Sequence, residues 1–177
     1  AAPDAACQNA DCAECAALAN NGSQAGNGNN WVTTYYDDDP DQVSYALLTA
    51  KAGSIVGVTL VDASAATGAT SVAGLYNGGF VIAYCDGGEL DVSYTTYNSA
   101  GTLVYGPIDV NDTVGQCGGP VGTKVRVAAL NTTDSQFVIV WDDARVNQTS
   151  FAVFNYSRAN ITTQTMVETA ADTNEKA

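Results

Sequence analysis

The sequence predicts an all-β fold, and three observations predict it. The first is internal repetition. Phe80-Val-Ile-Ala-Tyr-Cys-Asp86 matches Phe137-Val-Ile-Val-Trp-Asp-Asp143 at an offset of 57 residues, and Val92 to Asn98 matches Thr149 to Asn155 at the same offset. Trp31 to Asp37 and Val43 to Tyr45 match Phe80 to Asp86 and Val92 to Tyr94 at an offset of 49. The second is strand chemistry: short β-branched and aromatic runs broken by Gly, Asp and Asn. The third is that Phe80 to Cys85 is apolar at every position, which fits a strand inside a sheet covered on both faces.

Residues 1–30 differ from the rest. Ala1 to Ala19 is Ala-rich and holds three of the five cysteines. Asp11 is placed to cap a short helix ending near Ala19, and Asn20, Asn21 and Gly22 are placed to stop it. Gly22 to Asn30 follows as a Gly/Asn/Ser linker. The expected organisation is therefore a Cys-rich, partly helical arm over 1–30 and a β-repeat domain over 31–172, with a polar tail at 173–177. The domain holds three antiparallel units at about 31–70, 71–119 and 123–172. Each unit reads as four short strands. The first is expected at Val72–Leu75 and Val125–Leu130, and the first unit lacks it. The next is expected at Trp31–Tyr36, Phe80–Cys85 and Phe137–Trp141. The third is expected at Val43–Leu48, Val92–Tyr97 and Ser150–Phe154, and the fourth at Ile55–Val61, Leu103–Val110 and Thr162–Val167. Asp-Gly-Gly, Asp-Asp-Asp-Pro and Ala-Gly between them are hairpin chemistry.

Four-stranded antiparallel units of this length resemble the propeller-blade repeats of secreted proteins. A closed propeller has about four to eight blades, so three leave an incomplete array whose open edges invite pairing. The N-terminal arm, or a strand from a neighbouring copy, is the candidate for the vacant place in the first unit. In general design this resembles glycosylated, pilus-like extracellular fibrils in which an arm completes a neighbour's sheet. Successive meanders of a two-sheet sandwich are the other architecture consistent with the pattern.

Composition excludes several function classes. Six Lys+Arg against 19 Asp+Glu give a net charge of −13, which is unsuited to nucleic acid or an anionic membrane. Histidine is absent, which removes Ser-His-Asp and Cys-His catalysis and most catalytic zinc sites. No apolar run is long enough to span a membrane, and no basic segment followed by an apolar one opens the chain as a leader would. No enzymatic activity is expected.

Three sets of residues are candidates for chemistry. Six Asn-X-Ser/Thr acceptors occur, at Asn21, Asn111, Asn131, Asn147, Asn155 and Asn160, against about two expected by chance from the Asn, Ser and Thr content. They point to a secreted, N-glycosylated protein. Cys7, Cys12, Cys15, Cys85 and Cys117 fit the same compartment as disulfide candidates. A bridge from Cys85 to Cys117 would tie the Gly-rich connection at 115–119 back to the sheet, and an odd thiol would point to covalent assembly; a free buried Cys, or a bridge from the arm to Cys85 or Cys117, fits equally, and no connectivity follows from the sequence. The C-x4-C-x2-C spacing of Cys7, Cys12 and Cys15 resembles that of plant-type [2Fe–2S] ferredoxins, but the residues between are Gln-Asn-Ala-Asp and Ala-Glu, and Cys85 lies far downstream. Asp37, Asp38, Asp39 and Asp41 crowd one hairpin, where carboxylates either hold Ca2+ or are solvated turn acids. Asp86 with Glu89 and Asp142 with Asp143 fall at matching turns. Aromatics at equivalent strand positions, among them Trp31, Tyr35, Tyr45, Tyr94 and Phe151, read as repeated core, with a sugar-stacking platform as the alternative.

The expected function is a structural subunit of an extracellular fibril or coat. It would assemble with copies of itself by β-edge or N-terminal-arm exchange, without resident cofactors beyond covalent glycans and a candidate Ca2+. A lectin-like or calcium-dependent adhesion module is the alternative.

Overall fold

The computed structural model describes residues 17–19, 30–38, 41–49, 51, 53–63, 70–88, 90–110, 115–117, 125–130, 132–145, 148–157, 161–163 and 165–166. The described chain is all-β, with three antiparallel sheets laid out as consecutive meanders. The first sheet runs β1 (Ala17–Ala19), β2 (Asn30–Asp38), β3 (Asp41–Leu48) and β4 (Ser54–Asp62). The second runs β5 (Thr70–Gly74), β6 (Phe80–Cys85), β7 (Val92–Tyr97) and β8 (Leu103–Asp109). The third runs β9 (Val125–Ala129), β10 (Phe137–Asp143), β11 (Gln148–Phe154) and β12 (Thr165–Met166).

Ala17–Ala19 corrects the sequence expectation. The segment reads as the end of a helix, yet it forms β1 and pairs antiparallel with β2, Ala17 opposite Val32 and Ala19 opposite Asn30. Ala is a good helix former, but a three-residue preference is weak beside a ladder offered by an unpaired neighbouring strand. The place left vacant in the first unit is therefore filled by the chain's own N-terminal segment. The rest of the expected helix and Cys7, Cys12 and Cys15 lie outside the described residues.

The repeat extends to register. Phe80, Ile82 and Tyr84 stand opposite Gly74, Val72 and Thr70, and Phe137, Ile139 and Trp141 stand opposite Ala129, Val127 and Val125. Irregularities recur at equivalent positions too, between Tyr45 and Leu48 on β3 and between Tyr94 and Tyr97 on β7. Such bulges twist the outer strands β4 and β8 away from a flat edge, and Pro107 in β8 removes one ladder donor.

The second sheet lies between the other two. β1 and β2 approach β5, and β5 and β6 approach β9. Alternating side chains point to opposite faces, so β6 and β7 bury every residue. Phe80, Ile82, Tyr84 and Tyr97 pack with Val32, Val43, Tyr45 and Leu47 of the first sheet. Val81, Ala83, Cys85, Val92 and Tyr94 pack with Phe137, Ile139, Trp141, Ala152 and Phe154 of the third. The strand expected to be covered on both faces is so covered, and the reason is its central sheet.

The Cys85–Cys117 disulfide forms, with Cα atoms 5.8 Å apart. It fixes the connection between the second and third sheets, where the Cys117 amide donates to Leu90 O and the Ala144 amide donates to Gln116 O. Gly101 sits in the turn after β7 at φ +80, where a Cβ would meet Val56 Cγ2 at 2.7 Å. Its carbonyl accepts the Tyr45 hydroxyl across the sheets at 2.7 Å.

Candidate functional site

Two faces of the array have no sheet packed against them among the described residues. In the first sheet Val32 and Thr34 point inward and are buried, while Trp31, Thr33 and Tyr35 alternate to the outside. On β3, Ser44, Ala46 and Leu48 share that outer face, Ser44 buried and the other two partly buried, and Leu60 of β4 joins it through its pairing with Ser44. Trp31 is 41% exposed and Leu60 48%. At the other end Phe137, Ile139 and Trp141 point inward, and Val138 and Val140 point outward. Phe151 and Val153 of β11 lie on that outer face and are half-buried.

The inner interfaces explain what such faces are shaped to meet. Between the first and second sheets, Tyr45, Phe80 and Tyr97 form a ring cluster with centroids 5.4, 4.7 and 4.9 Å apart. Between the second and third, Tyr94, Phe137 and Phe154 do the same at 5.4, 4.8 and 5.7 Å. Tyr45 and Tyr94 are repeat equivalents, as are Phe80 and Phe137, and Tyr97 and Phe154. Burial pushes the Tyr97 hydroxyl up to about 12 and raises Tyr84 far above its ordinary value, through desolvation first and the Asp62 carboxylate second. Both rings are thus held neutral, as core requires. The recurrent aromatics Tyr45, Tyr84, Tyr94, Phe137 and Trp141 are buried.

A buried carboxylate closes the end of β10 in the third sheet. Asp143 is 1% exposed and accepts from Arg145 through two side-chain bonds, Nε to Oδ1 at 3.0 Å and an Nη to Oδ2 at 2.6 Å. That pairing raises the guanidinium's pKa. Asp142 and Asp143 read alike in the sequence, as turn acids. The structure separates them, Asp142 exposed and Asp143 buried. The one signal for this was Arg145, in a chain with six basic residues.

Of the six sequons, Asn155 lies within the described residues, in the turn after β11, where its Oδ1 accepts from Ser157 Oγ at 3.0 Å. The equivalent Asn98 closes the matching turn by accepting from the Ala100 and Thr102 amides at 3.0 and 2.9 Å. Asn21, Asn111, Asn131, Asn147 and Asn160 lie outside the described residues. Asp37, Asp38 and Asp41 belong to the β2–β3 hairpin, Asp38 opposite Asp41. Asp39 and the side chains of all four lie outside the described residues. No group of three or more Cys, Asp or Glu placed to hold a metal occurs among the described residues. No helix among them is long and apolar enough to cross a membrane. Comparison with family models, curated proteins and solved structures finds no match to this chain.

Proposed function

We propose that this chain is a non-enzymatic structural subunit of an extracellular fibril or surface coat: a secreted, N-glycosylated protein that associates with copies of itself. The observation that carries this reading is a pair of end faces that, among the described residues, have no sheet packed against them. A sheet face that meets water is ordinarily polar. Here the two faces carry Trp31, Leu48 and Leu60 at one end and Val138, Val140 and Phe151 at the other. Apolar side chains grouped on a sheet face with no sheet against it suit an interaction site.

Two further features support the compartment. The sequon excess suits N-glycosylation, and the Cys85–Cys117 disulfide suits an oxidising environment. Asn155 sits in a turn, where a glycan would project without disturbing a ladder. Electron microscopy of the purified protein, paired with intact mass before and after deglycosylation, tests the reading. Extended polymers or sheets and a mass drop on deglycosylation are expected. Dispersed, unmodified monomers at every concentration would overturn it.

A further inference from the structure

We infer that the two open faces are the two halves of one interface, and that the outer face of the third sheet seats on the outer face of the first sheet of a second copy. The inference deepens the self-assembly reading and rests on it.

The chain shows twice what each face is built to meet. Toward the following sheet, the first and second sheets present Tyr45 and Tyr94. The residue at that repeat position in the third sheet is Phe151, half-buried and facing outward. Toward the preceding sheet, the second and third sheets present Phe80 with Tyr97 and Phe137 with Phe154. The residues at those positions in the first sheet are Trp31 and Leu48.

Each inner interface inserts one ring between two apolar partners, with centroids 4.7 to 5.4 Å from it. Phe151 of one copy, set against Trp31 and Leu48 of the next, makes the same cluster a third time. The surrounding pattern agrees. Val140 occupies the place of Thr34 and Ala83, small or β-branched residues that face a strand across the interface. Ser44 and Ala46 occupy the places of Ser93 with Thr95 and Ser150 with Ala152.

The partner surfaces differ, so the contact is head-to-tail. It propagates into a filament unless its rotation closes a ring. This favours face packing over edge exchange, since β4 and β8 are bulged and β1 already pairs within its own chain.

The test uses two full-length glycosylated variants, Trp31→Arg and Phe151→Arg, each blocking one face. Melting temperature is the check on folding, and Leu60→Lys and Val140→Lys replace them if either fails to fold. Each variant alone is expected to stay monomeric by analytical ultracentrifugation, with association weakened about thirtyfold or more. A one-to-one mixture should form a heterodimer and stop there, because each copy keeps one complementary face. Assembly of either variant at wild-type strength overturns the inference while leaving self-assembly standing. So does a mixture of folded variants that remains monomeric, which would assign the faces to different partners. A wild-type chain that never associates defeats both readings.

Discussion

Trp31, Phe80 and Phe137 occupy one repeat position in three environments, which makes them a measurement of what the array lacks. Phe80 and Phe137 are 0% exposed, whereas Trp31 is 41% exposed and, among the described residues, has no sheet against it. Truncating a buried aromatic removes its transfer free energy and leaves a cavity, so Phe80→Ala and Phe137→Ala should each destabilise the monomer by about 3–5 kcal/mol. Trp31→Ala should cost less than about 1 kcal/mol in dilute monomer, and its effect should grow with protein concentration as the open face is used. Chemical denaturation of the three variants at low and high concentration reads this directly. A Trp31→Ala loss equal to that of Phe80→Ala in dilute monomer would mean that the face is already covered within the chain. Legibility at this scale depended on context rather than residue type. Trp31 and Phe80 look alike in the sequence, because an aromatic destined for an interface between copies and one destined for the core obey the same chemistry.

Among the elements, the connection between the second and third sheets is the best defined by cross-links. It leaves the edge strand β8 of one sheet and must reach the edge strand β9 of the next. Cys117 is anchored covalently to the end of β6 and by its amide to Leu90, and Gln116 O holds Ala144 after β10. The bridge closes a loop of 32 residues, and the loop-entropy relation assigns it about 4 kcal/mol. Cys85→Ala/Cys117→Ala should lower the urea midpoint by a corresponding amount, with amide exchange rising first in β9. A double variant as stable as the parent would remove the cross-link from any account of the fold. Cys85 and Cys117 were legible as disulfide candidates, but five cysteines left their pairing open until the structure brought these two together. β1 was not legible. Three residues carry too little pattern to outweigh Ala's helix preference, and only the unpaired side of β2 decides their conformation.

For the whole molecule, the repeat made the sheet order and the central position of Phe80 to Cys85 readable, while the number of covered faces was not, since that depends on how many sheets stack. The charge of −13 bears on the same question. Two copies brought together repel through their net charge, yet the contact faces hold little of it. Among the described residues the outer face of the first sheet carries Trp31, Thr33, Tyr35, Ala46, Leu48 and Leu60, none of them charged. The outer face of the third carries Arg126 and Asp142, of opposite sign. The attraction is therefore apolar and short-ranged, and the opposition is long-ranged and open to screening. The Debye length falls from about 30 Å at 0.01 M salt to about 8 Å at 0.15 M. Association should strengthen across that range of sodium chloride, with a chelator present so that divalent ions bridging the acidic hairpins do not contribute. It should strengthen again as the pH is lowered toward the isoelectric region near 4.1. Sedimentation velocity at fixed protein concentration measures both. Assembly that weakens steadily with added salt would mean that complementary charges hold the copies together, and would place the contact away from these two faces.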